Sequence, residues 1–137
     1  MSVYNNIRSA LEVALSQVPN IPPIKYDNIQ FSPTTGSPFV SCNVFHTSRR
    51  PSEVGSNPFN RYQGLFSISV YTPENKGPRQ NQDVCNTIIN AFPAGTHDLV
   101  FNGQIVRLEY VEQLGSFRDA PWFITPINVG WYAYDKA

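Results

Sequence analysis

The segment Arg61-Tyr62-Gln63-Gly64-Leu65-Phe66-Ser67-Ile68-Ser69-Val70-Tyr71 carries the clearest periodicity in the chain. Tyr62, Gly64, Phe66, Ile68 and Val70 alternate with Arg61, Gln63, Ser67 and Ser69, with Leu65 and Tyr71 as the apolar exceptions. Successive side chains of a strand point to opposite faces, so this pattern predicts a strand with one buried face. Upstream, Phe39 to His46 reads as a second strand. Between the two lies a polar run from Thr47 to Asn60 that contains Arg49, Arg50, Pro51, Pro58 and Phe59. Loops longer than about a dozen residues are uncommon in compact domains and are usually functional or disordered, which makes this run the expected working part.

Further toward the N-terminus, Val3, Ile7, Ala10, Leu11, Ala14, Leu15 and Val18 recur at steps of three and four. That spacing makes one apolar stripe on an opening helix, with Ser2 as its cap and Pro19 ending it. A first strand is expected from Ile24 to Phe31, bulged at Asp27-Asn28, with Phe39 to His46 returning antiparallel beside it through a Pro/Gly-rich turn. Downstream, Thr72 to Gly77 breaks the central strand, and Pro78 suits the first turn of a second helix whose apolar residues are Val84, Cys85, Ile88, Ile89 and Phe92. Asn102-Gly103 is a two-residue hairpin signal, because both residues accept positive φ. A last strand runs from Pro121 to Tyr134, where Pro126 and Gly130 imply a bulge or an edge.

The expected order is helix, three strands, helix, three strands. It defines an α+β two-layer domain over residues 1–137: a mostly antiparallel twisted sheet of about six strands with both helices on one face. Ile7, Leu11, Leu15, Val84, Ile88 and Phe92 are expected to make that packing. The opposite face carries Tyr, Phe and Ser residues suited to solvent or to a neighbouring subunit.

With 137 residues the chain has room for one domain and a core that needs no staples. Ten basic residues balance ten acidic ones, which argues against a general electrostatic grip on nucleic acid or membrane. The charges are unevenly spread. From Val44 to Gln82, Arg49, Arg50, Arg61, Lys76 and Arg79 outnumber Glu53 and Glu74, so the molecule is expected to have a basic side and an acidic side. Cys42 and Cys85 occupy apolar-facing positions and are read as buried reduced thiols. The first residues lack the pattern of a signal peptide, and no stretch approaches membrane-spanning length, so a cytoplasmic site of synthesis and residence is expected.

Candidate chemistry is thin. Cys42 and His46, four apart on a strand, are separated by roughly 13 Å, too far to share one zinc ion. His97 has no histidine or cysteine near it in sequence. Signatures of hydrolases and of phosphate-binding loops are absent. Glu109 and Glu112 face opposite ways on a regular strand and read as solvated acids. The run from Arg61 to Ile68 resembles a base-stacking strand of an RNA-binding module, but Tyr62 stands where that signature needs glycine. Neither enzyme activity nor a metal, nucleotide or covalent cofactor is therefore expected. Arginine and aromatic residues are enriched at protein contacts, so Arg49, Arg50, Pro51, Phe59 and Arg61 are the candidate interface.

Tyr26-Asp27-Asn28-Ile29-Gln30-Phe31-Ser32-Pro33, Ser48-Arg49-Arg50-Pro51, Arg61-Tyr62-Gln63-Gly64-Leu65-Phe66, and the stretch from Pro121-Trp122-Phe123 to Gly130-Trp131-Tyr132 together resemble a family of small tailed-bacteriophage proteins. These are the tail terminators, or tail-completion proteins, and the likeness covers nearly the whole chain. The resemblance implies a structural virion protein of the tail and neck region, assembled in the host cytoplasm. It implies a ring, commonly of six subunits, that caps the tail tube, stops its polymerisation and presents a surface to the head-closure or connector protein. The implied partners are thus other copies of the chain, the tail tube protein and the connector, with no membrane. The resemblance also implies that genomic DNA passes through the lumen without specific binding, for which Glu109, Glu112 and Asp119 are the lumen-facing candidates. A closed ring joins two different patches head to tail, and a basic loop region opposite an acidic remainder supplies such a pair. The alternatives are another neck component or, from a different class, a small RNA-binding domain. Assembly in sedimentation marks the ring former, and strongly salt-dependent oligonucleotide binding marks the RNA binder.

Overall fold

Ser2 opens the first element, because its Oγ accepts the Asn5 amide at 3.1 Å and so satisfies one of the unpaired donors at a helix start. The computed structural model describes residues 2–34, 36–51, 59–95 and 98–135. Helix α1 (Val3–Ser16) buries Ile7, Ala10, Leu11 and Leu15 along one stripe and stops ahead of Pro19. Helix α2 (Arg79–Ala91) starts at Pro78, which occupies the cap position. Its buried residues are Asn81, Cys85 and Ile88, with Phe92 just beyond its end, while Val84 is only half-buried. The helix is therefore turned slightly from the stripe expected on apolarity alone, so that a polar residue, Asn81, points into the protein.

The strands are β1 (Ile24–Lys25), β2 (Phe39–Pro51), β3 (Asn60–Pro73), β4 (Asp98–Phe101), β5 (Gln104–Gln113), β6 (Phe117–Asp119) and β7 (Trp122–Tyr134). They form one sheet in the order β1-β2-β3-β7-β5-β4, with β6 paired to β7. Both helices pack through their buried residues into one core with Val40, Phe66, Ile68, Ile127, Val129 and Trp131 of the sheet. The expected α+β two-layer class holds, with a mixed rather than purely antiparallel sheet.

Four strand expectations are corrected. β1 is two residues long rather than reaching Phe31, and it runs parallel to β2, Ile24 opposite Val40, rather than antiparallel. The chain turns twice between them, at Asp27–Ile29 and again at Gly36–Ser37, and two reversals restore the original direction. Part of the expected Thr47–Asn60 loop is strand: Thr47–Pro51 belong to β2 and Asn60 to β3. β2 continues to Pro51 and β3 begins at Asn60, with a register shift between His46 and Ser48, because the paired ladder extends to Arg50 opposite Arg61 and Pro51 opposite Asn60. Ser52–Pro58, the remainder of that expected loop, lies outside the described residues. A short strand, β6, was not expected and makes a hairpin with β7 around Ala120 and Pro121. Finally, of the bulge or edge implied by Pro126 and Gly130, the edge is wrong, since β7 lies between β3 and β5, whereas a register shift in β5 does fall opposite Gly130. Pro126 is tolerated there because its carbonyl accepts the Leu114 amide just past the end of β5, so its missing amide falls where that ladder has already stopped.

Two glycines make the central pairing possible. A Cβ on Gly64 would strike the Phe45 carbonyl oxygen and lie 2.5 Å from the Trp131 ring. On Gly130 it would strike the Tyr110 ring, which covers that glycine from the neighbouring strand. The first obstacle is backbone and a fully buried indole, whereas the second is a side chain that is 43% exposed and free to swing.

Asn81 ties the start of α2 to the sheet. Its Nδ2 donates to the Val70 carbonyl, the Thr72 hydroxyl and the Phe123 carbonyl, each at 3.1 Å. Its Oδ1 accepts from the Thr125 hydroxyl and the Cys85 thiol. Thr72 and Thr125 are buried as well, and a buried polar cluster is tolerated only when its members find partners.

Two outcomes follow from this packing, both measurable by denaturant unfolding of the isolated subunit. Gly64→Ala should cost about 3 kcal/mol and Gly130→Ala about 1 kcal/mol, since overpacking is expensive where the neighbour cannot move. Equal losses would contradict the contacts described. Asn81→Ala should cost about 3 kcal/mol by stranding buried carbonyls and hydroxyls. A loss below about 0.5 kcal/mol, the size of an ordinary surface change, would show that the cluster does not anchor α2.

Candidate assembly interface

Because β3 alternates, Tyr62, Phe66, Ile68 and Val70 turn toward the helices and Arg61, Gln63, Leu65, Ser67 and Ser69 turn to the uncovered face. Pairing then extends that face sideways: Arg61 stands opposite Tyr134, Gln63 opposite Tyr132, and Phe45 opposite Leu65. No helix among the described residues covers this side. Phe45 is 50% exposed, and Tyr110, Phe117 and Tyr134 are exposed on or beside it.

Arg61 is the most heavily contacted side chain on the outer face. Its guanidinium lies 4.4 Å from the Tyr132 ring centre and 5.8 Å from that of Tyr134. One terminal nitrogen donates to the Tyr134 hydroxyl at 3.1 Å, the other to Glu109 Oε1 at 2.7 Å, and Nε donates to Gln63 Oε1 at 3.3 Å. The planar guanidinium, with its five donors, suits this combination of ring stacking and hydrogen bonding.

Arg49 and Arg50 point to opposite faces. Arg49, opposite Tyr62, turns toward the helix side, where its Nε donates to the Tyr62 hydroxyl at 3.0 Å. Tyr62 in turn donates to Asp135 Oδ2 at 3.1 Å, and Asp135 accepts the Asn60 amide at 2.8 Å. Burial is the largest influence on the Asp135 carboxyl and would raise it, but hydrogen bonds from Asn60 and Tyr62 and the charge of Arg49 outweigh it and hold the group below its ordinary value. Burial raises the Tyr62 phenol, against the pull of the Arg49 hydrogen bond. Tyr4 and His46 stack edge-on beside this chain, with ring centres 5.2 Å from Tyr62 to Tyr4 and 4.6 Å from Tyr4 to His46. Arg49 thus clamps the base of the β2–β3 hairpin to the end of β7. Arg50 shares the outer face with Arg61 and has no hydrogen-bond or ion-pair partner among the described residues. Pro51 and Phe59 flank the hairpin end and are exposed.

The three candidate acids separate. A register shift between Leu108 and Tyr110 inserts an extra residue in β5, which cancels the odd spacing of Glu109 and Glu112 and turns both outward. Glu109 pairs with Arg61, so a residue from the basic segment and one from the acidic remainder are neighbours on one face rather than on two sides. Asp119 lies far along the sheet on β6, opposite Trp122. There the outer face carries a second aromatic group, with Phe39 stacked 4.2 Å from Tyr71 and meeting Trp122 edge-on at 5.0 Å. Tyr132, Tyr134, Tyr62 and Asp135 are absent from the sequence-derived candidates. The only local signal was aromatic alternation at the chain end, which acquires meaning once β7 is placed beside Arg61.

Among the described residues no three His, Cys, Asp or Glu side chains gather as a metal-ligand set, and His97 lies outside the described residues. Cys42 and Cys85 are free and buried, and burial is the main cause pushing their thiols up to about 12 and about 11, which keeps them protonated and unreactive. No helix among the described residues is long and apolar enough to cross a membrane.

Comparison with known proteins adds the family. One solved chain, 19% identical, superposes over 100% of this chain and 99% of its own with a TM-score of 0.75. A chain from the virion of a native gene transfer agent particle, 17% identical, matches over 99% of this chain and 98% of its own with a TM-score of 0.60. At these identities the likeness is one of fold. No curated protein matches the sequence. The family model described as phage tail terminator protein matches residues 6–131, nearly the whole chain. The chain therefore belongs to the phage tail terminator family, a family of phage structural proteins.

Proposed function

We propose that this chain closes with copies of itself into a ring, six subunits in number, that caps the tail tube, stops its polymerisation and joins it to the head-closure or connector protein. The observation that carries this reading is the uncovered sheet face. Both helices cover one side, while the other exposes Phe45, Tyr110 and Tyr134 near the Arg61–Glu109 pair, with Phe117 exposed at the far end of the sheet. Exposed aromatic groups beside an organised arginine are the composition of a protein contact, and few monomers leave a face so dressed. Family membership and the fold shared with a chain of a gene transfer agent virion support placing it in a virion with other structural proteins.

Within this reading Arg50, Pro51 and Phe59 meet the next subunit or the tube, at the end of the hairpin that β2 and β3 extend beyond Arg49. Arg49 and Arg61 act indirectly, by holding the hairpin base and the tyrosines in position. Glu109 is committed to Arg61, which leaves Glu112 and Asp119 as the lumen-facing acids that let DNA pass without adhesion. DNA carries dense negative charge, and acids along its path discourage binding.

Charge reversal at the uncommitted arginine tests the assignment. Arg50→Glu removes repulsion toward Arg61 and breaks no contact among described residues, so unfolding of the isolated subunit should change by no more than about 0.5 kcal/mol. Ring mass in sedimentation should nevertheless be lost, and tails assembled with the variant should vary in length. Uniform tails capped by variant rings of normal mass would rule the hairpin out as the contact. Arg61→Ala should behave differently, lowering subunit stability by about 1 kcal/mol through lost ring stacking and ion pairing before any assembly step is reached.

A further inference from the structure

The sheet ends in two unlike edges, and among the described residues neither is fully paired. At one end β1 meets β2 only at Val40 and Ser41, while β2 runs on to Pro51. The Val40 amide donates to the Pro23 carbonyl at 2.9 Å, away from β3. Main-chain groups of an antiparallel strand point alternately to its two sides, so the N–H and C=O of Val44 turn away from β3 as well. The register shift after His46 and then Pro51 blunt the far end, as bulges and prolines do on edges, which leaves Cys42 to His46. At the other end the sheet stops at β4, which has four residues. Phe101 and Gln104 flank a two-residue turn and so exchange hydrogen bonds, which leaves Val100, opposite Ile105, with its N–H and C=O on the free side. No backbone hydrogen bond among the described residues meets Val44 or Val100 on that side.

We propose that the free edge of β2 takes β4 from the next copy of this chain as a parallel strand, Val100 aligned with Phe45, so that the sheet runs on from subunit to subunit. This rests on the ring proposed as the function and specifies how its members are joined. Strands β2, β7 and β4 run one way and β3 and β5 the other. In a sheet that continues around a ring axis every copy keeps that sense, so a neighbour's β4 arrives parallel to β2. A residue in a parallel ladder bonds to the two residues flanking its partner, so Val100 N–H donates to the Val44 carbonyl and Val44 N–H to the Asp98 carbonyl. Side-chain facing agrees. Leu99 and Phe101 pack against the core, which turns Val100 to the uncovered face that Phe45 shares, and the two are 62% and 50% exposed. Antiparallel pairing would set Val100 opposite the buried Val44 and put one subunit's core face on the wrong side. The occupant is a second copy because a head-to-tail ring joins two different surfaces of one chain, and these edges offer complementary donors and acceptors. An unrelated strand would fill one edge and leave the other open.

Hydrogen exchange of the full chain, read residue by residue by mass spectrometry above and below the concentration at which it assembles, tests the junction. The Val44 and Val100 amides are expected to exchange at least about tenfold more slowly in the ring than in the subunit. Val100→Pro removes the outward amide at an edge position, where proline is tolerated because no bond within the subunit is lost. That variant should stay folded and lose ring mass in sedimentation, whereas Val100→Ile, which keeps the amide, should assemble. Should Val100→Pro fail to fold, the exchange measurement still decides. Rings of normal mass whose Val44 and Val100 amides exchange as fast as in the subunit, or rings of normal mass from Val100→Pro, would overturn the edge pairing and leave the ring itself standing. A chain that stays monomeric at every concentration would overturn both.

Discussion

A slip of one residue between β3 and β7 would turn one of the two central strands inside out. Every position from Arg61 opposite Tyr134 to Pro73 opposite Trp122 is paired, without a bulge. Because side chains alternate, moving β3 by one residue against β7 would send Phe66 and Ile68 to solvent and bring Arg61 and Ser67 under the helices. Gly64 belongs to the same constraint. It lies opposite Trp131 where there is no room for a side chain, so the large indole and the absent side chain fit in only one register.

With that pairing set, other features follow from it. Helix α2 is held against β3 and β7 by Asn81, whose carbonyl partners Val70 and Phe123 come one from each strand. The outer face inherits its character in the same way. Arg61 meets Tyr134 because they are register partners, and it reaches Tyr132 and Glu109 across neighbouring positions of β7 and the bulged β5. A family whose members act as structural components needs an organised surface more than a reactive one. Here the organisation comes from the strand pairing, not from a loop.

This arrangement also changes how the three arginines should be regarded. They are close in sequence or in register, yet they do different work. Arg49 closes the hairpin against Asp135 by way of Tyr62, and Arg61 orders two tyrosines. Arg50 alone is left without such a contact among described residues, so its charge is available to a partner. Composition treats the three as one basic segment, whereas alternation along a strand distributes them to two faces.

What the sequence determined by itself was whatever depends on local periodicity and local steric limits. Both helices, the Ser2 cap, the strand character of Arg61 to Tyr71, the Asn102-Gly103 turn and the two buried thiols were legible because each is encoded within about ten residues. The resemblance to tail terminators was legible as well, since it rests on motifs spread along the chain. The direction of β1 was not legible, because it depends on counting two turns where composition showed one broad turn-like stretch. The extension of β2 through Pro51 was hidden too, since polar residues such as Ser48 and Arg50 become strand only when β3 lies beside them. Nor could spacing reveal that Glu109 and Glu112 share a face, because the β5 bulge is set by its fit to β7 at Gly130. The Arg61 contacts with Tyr134 and Glu109 and the Asn81 cluster join residues tens of positions apart. Only tertiary structure decides such contacts, because their free energy exists only after the strands that carry them have paired.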